Sequence, residues 1–114
     1  MPFPYFASVT KNCTRAMRPR KVSILGRVFK ITYVIKGPLE DDELGEVDLS
    51  TQKMSILEGL SADKERSVVL HEIIHGIDDI LDLGLTEEQV NGLENGLFAT
   101  IKDNPRVIAY IRRD

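Results

Sequence analysis

The chain has 114 residues, 42% of them hydrophobic and 29% charged, with a net charge of −3. That is one ordinary domain with a single core, and it excludes wholesale disorder. No apolar run approaches the ~18 residues of a membrane helix, so no membrane role is expected. The single Cys13 allows no internal disulfide and no thiolate-rich zinc site. With an N-terminus that lacks the basic and long apolar regions of a secretory signal, this points to a cytoplasmic protein.

Residues 1–20 carry Pro2, Pro4 and Pro19 and no steady period, which predicts an N-terminal arm preceding one domain over 21–114. The basic residues between Lys11 and Lys30 could touch nucleic acid. A solvated strand edge with a flexible arm accounts for them better. Lys21–Leu25 and Val28–Ile35 are rich in β-branched residues and are split by Gly26-Arg27, the pattern of a hairpin. Gly37-Pro38 ends that run, and an acidic loop, 40–43, leads to a second pair of strands near 45–49 and 54–57, with a turn over 50–53.

From Ser61 the period becomes helical. Ser61 suits an N-cap, Asp63 and Glu65 suit the first turn and Gly84 suits the end, giving a helix over 62–82. Thr86-Glu87-Glu88-Gln89 is a capping box that opens a second helix running to about 102. Gly92 and Gly96 inside it suggest close packing of the two helices. Asp103-Asn104-Pro105 breaks it, and a short final turn over 106–112 follows. Strands first and helices after imply an α+β fold: a small antiparallel sheet packed on the first helix and an antiparallel second helix.

Chemistry concentrates in His71-Glu72-Ile73-Ile74-His75, which holds both histidines of the chain. Residues four apart on a helix share a face, so two imidazoles can grip one metal ion while the intervening glutamate reaches water. With His71 at zero, His75 falls near 40°, Asp78 near −20° and Asp82 near 20°, away from the apolar arc at about 160° to 300°. Zinc so held acidifies water, and Glu72 is the expected general base for peptide hydrolysis. Position 81 is Leu, which removes the third histidine of the metzincin pattern. The third ligand is then a carboxylate, with Glu87, Glu88 and Glu94 as candidates. Glu87 leads because the helical hairpin returns it towards His75, and Glu87, Asn91, Glu94 and Phe98 share a face. Asp78 could orient a histidine through its second ring nitrogen. Tyr33, Tyr110 and Arg106 are unranked donors for an oxyanion, and Lys64 and Arg66 read as solvated helix charges.

From about Lys21 to Pro105 the chain resembles the small zinc metallopeptidase-like proteins of bacteriophages and prophages, related in pattern to the ImmA/IrrE metallopeptidases. The matching segments include Val28-Phe29-Lys30-Ile31, Gly45-Glu46-Val47-Asp48, His71 to Asp78, Leu83 to Val90 and Lys102-Asp103-Asn104-Pro105. The resemblance implies a zincin-like mini-domain with His71 and His75 as zinc ligands, Glu72 as base and Glu87 as third ligand. The chain departs from that pattern at Val90-Asn91-Gly92-Leu93-Glu94, where the family often has Ala-Asn-x-Phe-Ala, and no partner domain of the kind linked to repressor cleavage is recognisable in these residues. Two functions follow: a zinc peptidase acting on a peptide or protein laid along the sheet edge, or a zinc-binding interaction module without proteolytic activity, such as a phage protein that docks on a host factor. Substrate and oligomeric state are not encoded in any recognisable motif.

Overall fold

A computed structural model describes residues 17–40 and 42–114. Four strands, β1 (Lys21–Ile24), β2 (Arg27–Val34), β3 (Gly45–Asp48) and β4 (Lys53–Leu57), precede three helices, α1 (Ala62–Leu81), α2 (Glu87–Asp103) and α3 (Pro105–Arg112). The α+β class is as expected.

The β1–β2 connection is the two-residue loop Leu25-Gly26, one position earlier than the sequence suggests. Both residues have positive φ, 51° and 85°, the backbone of a type I′ turn whose twist matches the flanking strands. Gly26 adopts this freely, whereas Leu25 does so against its Cβ. The second hairpin turns through residues 49–52, where the Asp48 carboxylate accepts hydrogen bonds from the amides of Ser50 and Thr51 and from the Ser50 hydroxyl. These bonds, the Ser50 hydroxyl foremost, hold the Asp48 carboxyl below its usual pKa.

The sheet is mixed, not antiparallel. Its order is β1-β2-β4-β3, and the central pair β2–β4 runs parallel, with Ile31 beside Met54 and Tyr33 beside Ile56. Each hairpin is written locally, in alternation and turn residues. How the two hairpins join depends on long-range burial, and residues 35–44 are long enough to carry the chain back across the sheet. Alternation places Phe29, Ile31, Met54 and Ile56 on one face, where they form the core with Ile24 and Val68.

Helix α1 crosses this face. The Ser61 side chain accepts the Lys64 amide at its start, and Asp82, in the left-handed region, closes its end. Asp82, not Gly84, is therefore the C-cap. Leu83 N–H donates to Asp78 O, and Leu85 N–H donates to the Asp78 carboxylate at 3.1 Å. Asp78 thus fixes the turn between α1 and α2 and does not orient a histidine. The Thr86–Gln89 capping box forms as expected and starts α2. Val90, with no exposed surface, sits on the buried face of α2. A Cβ on Gly92 or Gly96 would meet nothing within 4 Å, so these glycines do not serve close helix packing.

Most of the predicted arm, residues 1–16, lies outside the described residues, along with Lys11 and Arg15. Its last residues are held in place. The Arg18 guanidinium lies 3.7 Å above the Tyr33 ring and pairs with Glu58 at 3.0 Å and Glu65 at 3.2 Å. The Tyr33 hydroxyl donates to Pro19 O at 2.7 Å.

Candidate metal centre

The antiparallel return of α2 along α1 brings the polar stripe of each helix together. His71 and His75 lie one turn apart on α1, with ring centroids 4.8 Å apart. The Glu87 carboxylate, in the first turn of α2, spans them: one oxygen lies 3.1 Å from His71 Nε2 and the other 3.1 Å from His75 Nε2. One ligand atom from each of the three residues falls within 4.8 Å of the others, a group able to hold a metal ion.

The donor set fits zinc. Two imidazoles and one carboxylate make the His₂Glu set of hydrolytic zinc sites, and bonds of about 2.05 Å in a tetrahedron space neighbouring ligand atoms by about 3.3 Å. Each histidine lies 3.1 Å from a different Glu87 oxygen, close to that edge, and the three ligand atoms lie within 4.8 Å of one another. Of the three carboxylates advanced from the sequence, Glu87 alone joins the histidines in this group. Glu88 is exposed and does not line the cleft.

Glu94 has a different place. It lies seven residues, about two turns, beyond Glu87 on the same face of α2. Because the helices run antiparallel, it meets α1 towards its N-terminus, behind His71. Its Oε1 is 2.8 Å from His71 Nδ1, and its Oε2 accepts the Ser67 hydroxyl. A proton on Nδ1, donated to Glu94, leaves the Nε2 lone pair directed at Glu87 and His75, the tautomer that metal ligation requires. The orienting contact that the sequence offered for Asp78 is made by Glu94. The signals were present: Ser67 is four before His71 and Glu94 seven after Glu87, each on its helix's site-facing stripe.

Glu72 is 5% exposed and makes no hydrogen bond or ion pair among the described residues, yet its carboxylate lines the same cleft. Burial pushes its pKa up to about 7. The His71 charge opposes this, while Glu87, Glu43 and Glu46 push it higher. Gly45 on β3 makes the burial possible. A Cβ there would stand 2.9 Å from Val68 Cγ1, 3.0 Å from Glu72 Cγ and 3.1 Å from Glu72 Oε2, so only glycine lets the helix carry Glu72 this close to the strand.

The cleft holds about 600 Å³ between α1, the start of α2 and residues 42–47. Among the described residues, its remaining side-chain donors are Lys64 and Asn91. Lys64 lines the cleft as an exposed side chain, in keeping with a solvated helix charge, and Arg66 pairs with Asp63 at 3.1 Å. Tyr33, Tyr110 and Arg106 do not line the cleft: Tyr33 is bonded beneath Arg18, and the other two belong to α3.

β3 is an edge of the sheet, and its ladder determines what the cleft sees of it. Leu57 N–H donates to Leu44 O at 2.9 Å, so Leu44, Glu46 and Asp48 direct their peptide groups at β4. Gly45 and Val47 turn theirs outwards, to an edge that no other described strand covers.

Among the described residues, no helix is long and apolar enough to cross a membrane. Compared with protein-family models, curated proteins and solved structures, the chain finds no significant match in any of the three. The functional reading accordingly stands on the cleft and on the motif.

Proposed function

We propose that the protein is a zinc-dependent peptidase, with His71, His75 and Glu87 holding the metal and Glu72 acting as general base. The observation that carries this reading is the position of Glu72. A largely buried carboxylate with no partner among the described residues is costly, and here it opens into a cleft shared with three convergent side chains able to hold a metal. A metal site retained for structure alone has no use for it, which favours hydrolysis over a module that only binds a partner.

Zinc in such a site supplies Lewis acidity, acidifying water and polarising a carbonyl. Glu94 holds His71 in the ligating tautomer, and Ser67 holds Glu94. Gly45 and Val47 offer the backbone groups on which an extended peptide can pair as an added strand, placing a peptide bond across the cleft. Glu72 takes the proton of the attacking water and passes it to the departing amine nitrogen. Asn91 and Lys64 are the donors within the cleft for negative charge that develops on the carbonyl oxygen. The lone Cys13 suits a reducing compartment, consistent with a cytoplasmic site of action.

The test is Glu72→Gln. This variant should keep its zinc while hydrolysis of a fluorogenic peptide library falls by at least about a hundredfold. Loss of the metal together with activity would make Glu72 a ligand, and unchanged hydrolysis would remove it from the mechanism.

A further inference from the structure

The open edge of β3 is charged on one side. Gly45 and Val47 face α1, since a Cβ on Gly45 would meet Val68 and Glu72 and Val47 lies over Gly76. Alternation then turns Glu46 and Asp48 to the opposite face. Asp48 is occupied by its turn. Glu46 is half-buried and has no hydrogen bond or ion pair among the described residues. Lys53 stands opposite Asp48 in the register and pairs with neither acid among the described residues. At the mouth of the cleft Asp42 and Glu43 add negative charge, and among the described residues Lys64 is the one lysine or arginine lining it. Glu43 is fixed there by accepting the Glu40 amide at 2.9 Å. Bound zinc would offset Glu87 and Glu94 and leave this rim acidic.

A strand added beside Gly45 and Val47 places one of its own side chains next to Glu46, on the same face. We infer that the peptide accepted by this edge is basic, an extended segment with a lysine or arginine beside Glu46 and further positive charge towards Glu43. The inference rests on the edge-strand docking proposed above and names its substrate class. Backbone groups without a partner among the described residues supply the pairing, and the Glu46 carboxylate beside them supplies the preference. Opposite charges across neighbouring strands attract, and like charges repel by a similar amount. The acidic rim also raises the local concentration of cationic peptides before docking.

The experiment measures binding without hydrolysis. Two fluorescein-labelled eight-residue peptides, alternating Lys-Ala and alternating Glu-Ala, are titrated by fluorescence anisotropy with the full chain carrying Glu72→Gln, as purified and again after chelation. The Lys peptide should bind about tenfold tighter at low salt, and the gap should narrow as salt rises. Adding Glu46→Gln should reduce the preference about threefold, and Glu46→Lys should abolish or reverse it. Equal affinity for the two peptides, or a preference that survives Glu46→Lys, overturns the inference. If neither peptide binds, edge docking itself is overturned. Zinc content and library hydrolysis, measured separately, report on the peptidase reading whichever way binding falls.

Discussion

Glu94→Ala separates a metal ligand from the group that orients one. In the structure the Glu94 side chain, 8% exposed on its residue, receives both Ser67 Oγ and His71 Nδ1 but is turned away from Nε2, where Glu87 lies. Truncation to alanine removes both bonds and lets the imidazole rotate or take the other tautomer. Loss of such an orienting group weakens metal affinity by about 10- to 100-fold, or about 1.4 to 2.8 kcal/mol. Glu94→Gln should lie much nearer the wild type, because the amide oxygen can still accept from Nδ1 and the amide N–H can reach Ser67. Glu87→Ala, which removes a ligand itself, should lose more than Glu94→Ala. Glu88→Ala should leave zinc in place and cost at most about 1 kcal/mol of helix-dipole stabilisation. Chelator competition gives the four dissociation constants. Wild-type affinity in Glu94→Ala would refute the orienting role. A loss equal to or beyond that of Glu87→Ala would make Glu94 the third ligand.

Other substitutions probe the surroundings. Gly45→Ala forces a Cβ against Val68 and Glu72 and should cost about 1–3 kcal/mol by urea denaturation, with hydrolysis reduced further than zinc affinity; a variant as stable and active as the wild type would contradict the close approach. Leu25→Asn should stabilise by a few tenths to about 1 kcal/mol, because asparagine tolerates the left-handed backbone at φ 51° and an exposed leucine is lost; a lower melting temperature would contradict that turn. In the metal-free protein, the raised pKa of Glu72 means that the folded state binds the proton more tightly than the unfolded chain. Its stabilising effect is therefore complete below about 4.5 and lost as pH rises through about 7. Glu72→Gln should accordingly gain on the wild type between pH 5 and pH 8 by about 2.5 kcal/mol in urea denaturation, and a constant difference across that range would contradict the burial.

What could be read from the sequence followed the range of the interactions. The two hairpins, the Ser61 cap and the Thr86–Gln89 capping box are local, set within a few residues, and all formed close to their expected bounds. The facing of His71 and His75 follows from helical period alone. Glu87 was reachable because a short turn between two helices imposes an antiparallel return. The parallel joining of β2 and β4 was not legible, since it depends on which faces of two hairpins bury together and no turn residue records that. Asp78 shares a stripe with the histidines, and period alone could not show that the Leu85 amide would claim its carboxylate. For a related reason the sequence left Glu94 as a lesser candidate ligand. Its distance along α2 was correct, but the consequence for an antiparallel neighbour, contact with the rear nitrogen of His71, needs the helices in register. Nothing in the letters marks Gly45 as the residue that admits Glu72, because the contact joins a strand edge to a helix 27 positions later.

The metal set is the centre of the account, and a crystal structure of the protein grown with zinc tests it most directly. An anomalous-difference map at the zinc edge should contain one strong peak per chain within about 2.0–2.2 Å of His71 Nε2, His75 Nε2 and a Glu87 carboxylate oxygen, with Glu72 beside the ion and not bound to it. A peak held by other side chains, or none at a zinc concentration that saturates histidine–carboxylate sites, would contradict it.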